Sequence, residues 1–301
     1  MYAPDFAYYR AGSLAEAGQL LQQHPGAKLL AGGHSLIPLL KFRLATPAAL
    51  IDIGRLDELK GISVTDGRVR IGALTTHAEL AASSELAERC PALGEAAGLI
   101  GDPAVRNRGT IGGNVAHADP ASDLPTVLRA LDATIAVTMD DGERSIPAAD
   151  FFEGMMETAL GDHDIVTAIE VPAAGAGQGQ AYVKFSHPAS RYAVVGAAAA
   201  VTLVGGTVGV VAVALGGPVP DARRAASVEE ALAGQAPTAD AIAAAGLHTV
   251  GLLGTAFTME QPFYRDRLAS RGIRALVPNE EDRRTVHEII YGELVHGVVT
   301  D

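Results

Sequence analysis

Two glycine-containing stretches decide how this sequence is interpreted. Residues 31–47 read AGGHSLIPLLKFRLATP, and residues 109–125 read GTIGGNVAHADPASDLP. A pair of adjacent glycines permits positive φ angles and lets a ligand approach the backbone closely. Neither stretch contains G-x-G-x-x-G or the G-K-[ST] ending of a P-loop, so neither a Rossmann dinucleotide fold nor a P-loop fold is predicted.

The chemistry predicted for these stretches is the binding of a pyrophosphate by backbone N–H groups. Successive N–H groups in a turn form a concave site for an anion. Ser35 and Thr110 add hydroxyl donors beside the two glycine pairs. Most Gly-Gly pairs are only turns, and that alternative stays open for each stretch taken alone.

Short strands and helices are predicted on both sides of these stretches. Helix caps, apolar periodicity and an Asp-Gly turn at residues 66–67 mark the boundaries. The predicted helices are 14–21 with Ser13 as cap, 77–82 with Thr76 as cap, 91–99, and 124–131 with Asp123 as cap. The predicted strands are 28–31, 50–53, 62–64, 69–71, 134–137 and 165–171. This mixture without strict alternation predicts an α+β protein of two domains.

The second half of the chain begins after a glycine-rich linker at residues 172–179. A half-buried strand is predicted at 182–186, and helices at 228–232 and 239–245. Residues 192–215 carry no charge and are long enough to span a bilayer. Because Gly205-Gly206 separates two β-rich runs, a hairpin is predicted there instead of a membrane span.

Composition excludes several classes of function. The chain has 301 residues and a formal net charge of -12, so binding to a nucleic acid backbone is not expected. Its one cysteine, Cys90, excludes an internal disulfide framework and an iron–sulfur cluster within this chain. No metal site is predicted, because His117, His163 and His187 lack ligand spacing. The first residues are not expected to be a secretory signal, and a cytoplasmic protein without a transmembrane segment is expected.

The two stretches closely resemble the flavin-binding motifs of the FAD-carrying medium subunits of molybdenum hydroxylases. This family includes the medium subunit of aerobic carbon monoxide dehydrogenase and the flavin subunits of xanthine and nicotine dehydrogenases. The resemblance covers about residues 4–245. It implies an FAD-binding domain of the vanillyl-alcohol-oxidase (PCMH) type at 1–174, with two subdomains that meet near 56–60. It also implies a smaller α+β domain, like the C-terminal domain of the carbon monoxide dehydrogenase flavoprotein, at 180–245.

The resemblance implies non-covalent FAD and a set of residues that bind it, with no catalytic residue and no metal ligand. Two loops would wrap the pyrophosphate, and four further residues would lie along the rest of the cofactor. The implied cofactor-binding residues are Ala31, Gly32, Gly33, His34, Ser35, Leu36, Thr110, Ile111, Gly112, Gly113, Asn114, Asp123, Leu160, Lys184 and Tyr192.

Some of these residues have alternative explanations in the sequence. Asp123 could cap a helix, a role compatible with accepting hydrogen bonds from ribityl or ribose hydroxyls. Lys184 could favour a reduced, anionic flavin ring, or it could point to water from an edge strand. Tyr192 could pack against the flavin or belong to the core. His34 could matter through its backbone alone.

The resemblance also implies partners. A large subunit would carry the molybdenum cofactor and a small subunit would carry [2Fe-2S] clusters, together forming a dimer of heterotrimers. This chain would pass electrons from those clusters to an acceptor such as NAD, a quinone or oxygen. A free-standing FAD oxidoreductase is the alternative. Neither the substrate of the complex nor its acceptor follows from the sequence.

The last part of the chain departs from this family. Residues 246–301 are similar to part of aspartate/glutamate racemases. Such racemases use two thiols as acid and base on opposite faces of the substrate. This chain has only Cys90, in another region, so racemase activity is not expected. Two further alternatives to an electron-transfer subunit are a racemase-like isomerase and a fragment unable to assemble with partners.

Overall fold

The fold is described from a computed structural model. The structure describes residues 2–139, 142–217 and 219–238, and beyond these residues 249–251, 262, 266, 269, 274–276 and 279–285. The chain divides into two compact units, Met1–Gln235 and Ala236–Asp301. The predicted helix at 239–245 and most of the racemase-like segment therefore lie outside the described residues.

The chain begins with a small parallel sheet in the strand order β1-β3-β2. Its elements are β1 (Ala7–Arg10), α1 (Leu14–Gln23), β2 (Lys28–Leu30), α2 (Leu36–Lys41) and β3 (Ala49–Asp52). Helix α1 starts where predicted because Ser13 Oγ accepts a hydrogen bond from the Glu16 N–H group at 3.1 Å. Ala17 and Leu21 on its inner face are buried in one core cluster with Ile51 of β3.

A second, antiparallel sheet has the strand order β4-β5-β10-β6-β7. Its strands are β4 (Ile62–Thr65), β5 (Arg68–Gly72), β6 (Thr134–Met139), β7 (Gly142–Pro147) and β10 (Ile165–Pro172). The predicted β4–β5 hairpin is confirmed, and both turn residues have positive φ angles, +52° at Asp66 and +72° at Gly67. Strand β7 had not been predicted.

Six helices lie between β5 and β6 along the chain. They are α3 (His77–Ala82), α4 (Ser84–Arg89), α5 (Pro91–Leu99), α6 (Pro103–Arg106), α7 (Ile111–His117) and α8 (Asp123–Ala130), and a 3-10 helix at Asp57–Leu59 precedes β4. Between β7 and β10 lie α9 (Ala148–Phe151), β8 (Phe152–Gly154) and β9 (Glu157–Thr158). Helices α5 and α8 pack together, and Leu93, Leu124 and Leu128 are fully buried in the same core cluster.

Two details of these helices correct the sequence analysis. Asp123 is not the cap of α8, because Ser122 occupies the N-cap position, without a capping hydrogen bond from its side chain, and Asp123 is the first residue of the helix. The second glycine stretch is not only a loop, since residues 111–117 form helix α7. Thr110 makes this possible, because its Oγ1 accepts a hydrogen bond from the Gly113 N–H group and caps the helix.

A third, antiparallel sheet follows the linker, in the strand order β11-β12-β13-β14. Its elements are β11 (Gln178–Ser186), β12 (Ala193–Val204), β13 (Thr207–Gly216), β14 (Arg223–Arg224) and α10 (Ala226–Leu232). The predicted β12–β13 hairpin is confirmed, with positive φ angles at Gly205 and Gly206. In the part of the chain that the structure describes, no helix has the length and apolar character needed to cross a membrane.

The third sheet packs closely on α8 because small residues line its inner face. Ala198 and Ala214 are buried there, in the same cluster as Leu128 of α8. A Cβ atom on Gly216 would lie 2.0 Å from Thr126 Oγ1, so only glycine permits this contact with the helix. The combination of mainly antiparallel sheets with helices that do not alternate regularly with the strands confirms the predicted α+β class.

The second unit is described only in part. Strands β15 (Thr249–Gly251) and β16 (Arg274–Leu276) pair in parallel. The Asn279 side chain accepts a hydrogen bond from the Asp282 N–H group at 2.9 Å, as in the first turn of a helix.

Candidate cofactor-binding cleft

A cleft of about 1060 Å³ opens within the first unit. It lies between the two glycine stretches, the β8–β9 region and the connection from β11 to β12. All of the implied cofactor-binding residues line it except Ile111, whose side chain is fully buried in the core. The structure thus brings together residues from Ala31 to Tyr192 in one open space large enough for a dinucleotide-sized ligand.

The two glycine stretches touch each other at the base of this cleft. A Cβ atom on Gly32 would lie 2.1 Å from the Arg108 carbonyl oxygen, so glycine is required for the loops to approach. Gly33 has a φ angle of +75°, which other residues rarely adopt. On the facing side, a Cβ atom on Gly113 would lie 3.9 Å from Ala31 Cβ.

The two loops differ in the hydrogen-bond donors they leave available. Within the described residues, none of the backbone N–H groups of residues 32–36 donates a hydrogen bond. By contrast, the N–H groups of residues 111–114 already donate, for example from Gly112 to the Ala73 carbonyl oxygen at 2.8 Å. The first loop therefore offers a row of unused donors, and the second offers a close-packed glycine surface beside them.

A buried charge pair lies farther along the cleft. Lys184 on β11 donates from Nζ to Asp123 Oδ2 at 2.8 Å and to the Leu99 carbonyl oxygen at 3.2 Å. Tyr182 donates from its hydroxyl to Asp123 Oδ1 at 2.6 Å. The side chains of Lys184 and Asp123 are 1% and 5% exposed, so Lys184 does not point to water from its edge strand.

The surroundings of Lys184 and Asp123 determine the pKa of Asp123 and the net charge that the two side chains present to the cleft. Burial raises the pKa of Asp123 above its usual value, and the hydrogen bonds from Lys184 and Tyr182 oppose that shift. Burial and the charge of Asp123 raise the pKa of Tyr182. Because Lys184 is paired with a carboxylate, it presents a neutral pair to the cleft and not an isolated positive charge.

The remaining implied residues lie along the walls. Tyr192 lines the cleft with 45% of its surface exposed, so it is not a core residue. Burial, followed by the charges of Asp119 and Asp123, raises the pKa of Tyr192. Leu160 is half-buried on the opposite segment after β9, and His34 is exposed at the cleft margin.

The sequence analysis missed His77, which lines the cleft as the first residue of α3. Only 3% of its surface is exposed, and its Nδ1 atom has no hydrogen-bond partner in the described part of the chain. The ring lies against Gly109, where an added Cβ atom would be 2.9 Å from His77 Nε2. Burial, followed by the nearby His34, lowers the pKa of His77 to about 4.

We expect this histidine to make the protein less stable in acid. Its pKa is lower in the folded chain than in the unfolded chain, so its contribution is complete above about pH 6.5 and is lost as the pH falls. From pH 7 to pH 5 the loss is about 2 kcal/mol of unfolding free energy. His77→Asn, which cannot take up this proton, should reduce the loss by that amount in urea denaturation. Parallel pH profiles for the two proteins would contradict this assignment.

The potential metal ligands are scattered in the part of the chain that the structure describes. No group of three or more His, Cys, Asp or Glu side chains there is arranged to hold a metal ion. Cys90 is fully buried, and burial raises the pKa of its thiol to about 12. It is therefore a structural thiol and not a nucleophile at neutral pH.

Two family models match the chain on either side of the linker. The model described as the FAD binding domain in molybdopterin dehydrogenase matches residues 4–174. The model described as the CO dehydrogenase flavoprotein C-terminal domain matches residues 180–273. The second match extends beyond residue 245, where the sequence analysis placed the end of the resemblance.

Individual relatives agree with these matches. The carbon monoxide dehydrogenase medium chain of Hydrogenophaga pseudoflava is 42% identical over 81% of this chain and 86% of its own. The glyceraldehyde dehydrogenase medium chain of Sulfolobus acidocaldarius is 41% identical over 78% and 83%, respectively. A structure of reconstituted CO dehydrogenase from Oligotropha carboxidovorans is similar over 98% of both chains, with 32% identity and a TM-score of 0.79.

A likeness to racemases is weak and partial. A solved structure from Yersinia pestis, described as an Asp/Glu racemase, is 38% identical over 21% of this chain and 36% of its own. The TM-score of this match is 0.18.

The family matches cover the glycine stretches, the buried charge pair and the third sheet. The first model alone accounts for more than half of the chain. The two relatives named above, of which the chain covers more than four-fifths, are medium chains. The chain therefore belongs to the family of FAD-binding medium subunits of molybdopterin dehydrogenases.

Proposed function

We propose that this chain carries FAD in the cleft as the electron-transfer subunit of a molybdenum-containing hydroxylase or dehydrogenase. Electrons would pass from the [2Fe-2S] clusters of a partner to this subunit and then to an external acceptor. The observation that carries the proposal is the row of unused N–H donors at residues 32–36, which faces the close-packed glycines of the second loop.

The residues of the cleft fit a pyrophosphate. The chain has a net charge of -12, so its backbone must contribute much of the binding energy for an anion. Residues 32–36 can donate several hydrogen bonds, and Gly113 leaves space for the anion on the facing side. Thr110 Oγ1 accepts from Gly113 and still has its own hydroxyl hydrogen to donate.

The other cleft residues would hold the remainder of the cofactor. Asp123 can accept hydrogen bonds from hydroxyl groups, because its carboxylate is fixed by Tyr182 and Lys184. Leu160 offers an apolar surface and Tyr192 an exposed aromatic ring, both suited to contact with a flat ring system. FAD, when bound, supplies a group that accepts electrons singly or in pairs and passes them on.

The partners that we propose are a large subunit with the molybdenum cofactor and a small subunit with [2Fe-2S] clusters. The names of the relatives support this, because medium chains are parts of larger assemblies. We propose a dimer of such heterotrimers, located in the cytoplasm. A free-standing FAD oxidoreductase remains the alternative, and FAD binding alone does not separate the two.

Co-purification tests the partnership. The tagged full chain, expressed from its native genome, is expected to bring down two further subunits together with iron and molybdenum measured by mass spectrometry. The same purification with an unrelated tagged protein is the control. A chain that contains FAD but carries neither metal nor partner would support the free-standing oxidoreductase instead.

We propose the following division of the chain. Residues 1–174 form the PCMH-type FAD domain, with a break between its subdomains near 56–60, and residues 180–245 form a second domain like the C-terminal domain of the carbon monoxide dehydrogenase flavoprotein. Residues 246–301 form an atypical segment related to racemases. We do not propose racemase activity for it, because racemisation by this mechanism needs two reactive thiols, and the one cysteine of the chain, Cys90, is buried.

A further inference from the structure

Tyr182 contacts the charge pair of the cleft but does not line the cleft itself. Only 5% of its surface is exposed. Its hydroxyl donates to Asp123 Oδ1, while Lys184, two residues later on the same strand, donates to Asp123 Oδ2. Both oxygens of this carboxylate therefore receive a hydrogen bond from β11, which fixes the orientation of the carboxylate plane.

Gly196 on the neighbouring strand leaves the space in which this hydroxyl lies. It is the partner of Lys184 in the register of β11 and β12. A Cβ atom on Gly196 would lie 2.4 Å from the Tyr182 hydroxyl oxygen and 3.2 Å from Tyr182 Cζ. Any side chain at this position would push the hydroxyl away from Asp123.

Two hydrogen bonds connect strand β11 to helix α5. The Tyr182 N–H group donates to Glu95 Oε2 at 3.0 Å, and Lys184 Nζ donates to the Leu99 carbonyl oxygen. Asp123 lies on α8, in the first of the two family matches, whereas Tyr182 and Gly196 lie in the second. The second domain thus completes a site whose glycine loops belong to the first.

We propose that Tyr182 is a positioning residue for Asp123 and that Gly196 is glycine because the Tyr182 hydroxyl occupies its side-chain space. This inference rests on the proposed function, in which the Asp123 carboxylate accepts hydrogen bonds from FAD. Tyr182 keeps that carboxylate in one orientation and stabilises its ionised form. The second domain thereby controls cofactor affinity without contacting the cofactor through this residue.

The charged groups around Asp123 define the expected pH dependence. Lys184 and Tyr182 face it from β11, Tyr192 faces it from the connection after β11, and Glu95 on α5 is bound to the Tyr182 N–H group. Loss of the Tyr182 hydroxyl removes a bond to the anion, so the pKa of Asp123 should rise further. Because FAD binds the ionised form, affinity should then be lost at a higher pH as the solution is acidified.

The test is a titration of the full chain with FAD, monitored by flavin fluorescence and repeated at several pH values from about 8 to about 5. Tyr182→Phe is expected to bind FAD about tenfold more weakly at pH 7, since a hydrogen bond to a charged group is lost. The midpoint of affinity loss should move up by about one pH unit. Tyr8→Phe is the matched control, because it removes a 2.5 Å Tyr–Asp hydrogen bond, to Asp52, outside the cleft.

A wild-type affinity and pH midpoint in Tyr182→Phe would overturn the positioning role. A wild-type chain that binds no FAD would contradict the proposed function instead, and a second measurement, which needs no FAD, then tests whether the Tyr182 hydroxyl occupies the space at Gly196. Gly196→Ala should lower the urea midpoint in the wild type and lower it much less in the Tyr182→Phe background, where the clashing oxygen is absent. If Gly196→Ala lowers the urea midpoint equally in both backgrounds, the Tyr182 hydroxyl does not occupy the side-chain space of residue 196, and this part of the proposal is refuted.

Discussion

Gly113→Asp is expected to weaken FAD binding by about a thousandfold, and Gly33→Asp by at least as much. The new carboxylate of Gly113→Asp would lie where the two loops face each other, in the space assigned to the pyrophosphate. A Cβ atom on Gly33 would instead lie 2.8 Å from Ile37 Cδ1, so Gly33→Asp would displace the loop that carries the unused N–H donors. Two like charges about 4 Å apart repel by about 4 kcal/mol near a protein surface, which corresponds to about three powers of ten in Kd. Equilibrium dialysis with FAD measures this loss directly.

Neutral variants of nearly the same size show how much of each loss comes from charge and how much from steric displacement. Gly113→Asn and Gly33→Asn introduce side chains of nearly equal volume without a charge, and asparagine tolerates the positive φ angle of Gly33 better than most residues. We expect them to retain more affinity than the aspartate variants. Equal affinities of all four variants and the wild type would show that the pyrophosphate does not lie between these loops.

Lys184→Met is expected to lower the free energy of unfolding by about 3–5 kcal/mol, because it leaves the buried Asp123 carboxylate without its counterion. Denaturation by urea at pH 7 measures this loss. Burial already raises the pKa of Asp123, and in the variant no lysine opposes that shift. The destabilisation should therefore shrink as the pH falls and Asp123 takes up a proton.

Two comparisons make this prediction specific. Asp123→Asn combined with Lys184→Met should recover much of the stability, since no buried charge is then left unpaired. Lys60→Met removes an ion pair of similar length, 2.7 Å to Asp57, on the protein surface. It should change the stability by no more than about 1 kcal/mol. A Lys184→Met variant as stable as Lys60→Met would refute the buried pair.

Much of the fold could be predicted because its signals are local. The Asp66-Gly67 and Gly205-Gly206 turns both form hairpins, since their residues adopt the positive φ angles that such turns need. Thr76 caps α3 and forms the reciprocal hydrogen bond with Glu79 that defines a capping box. In each case, neighbouring residues alone determine the backbone.

Helix α7 could not be predicted, because its stability comes from contacts that are distant in the sequence. Gly112 and Gly113 disfavour a helix when they are considered locally. In the fold, a Cβ atom on Gly112 would lie 2.5 Å from Ala73 Cβ, and the Gly112 N–H group donates to the Ala73 carbonyl oxygen. Glycine is thus required for close packing at a position where propensity argues against a helix.

In the candidate site, too, local motifs could be predicted from the sequence, whereas contacts between distant residues could not. The glycine loops were visible as sequence motifs, and the resemblance identified Asp123 and Lys184 separately. The direct contact between Asp123 and Lys184 spans 61 positions of sequence, and the Tyr182 contact spans 59. His77 was read only as the first residue of a helix, and its burial beside Gly109 depends on the tertiary fold.

The most direct test of FAD binding is the visible absorption spectrum of the purified full chain, followed by acid release and chromatography of the chromophore. We expect flavin bands near the wavelengths typical of FAD, and FAD released in about equimolar amount to protein. A colourless protein that also takes up no added FAD, alone or with its co-purified partners, would contradict the assignment of the cleft.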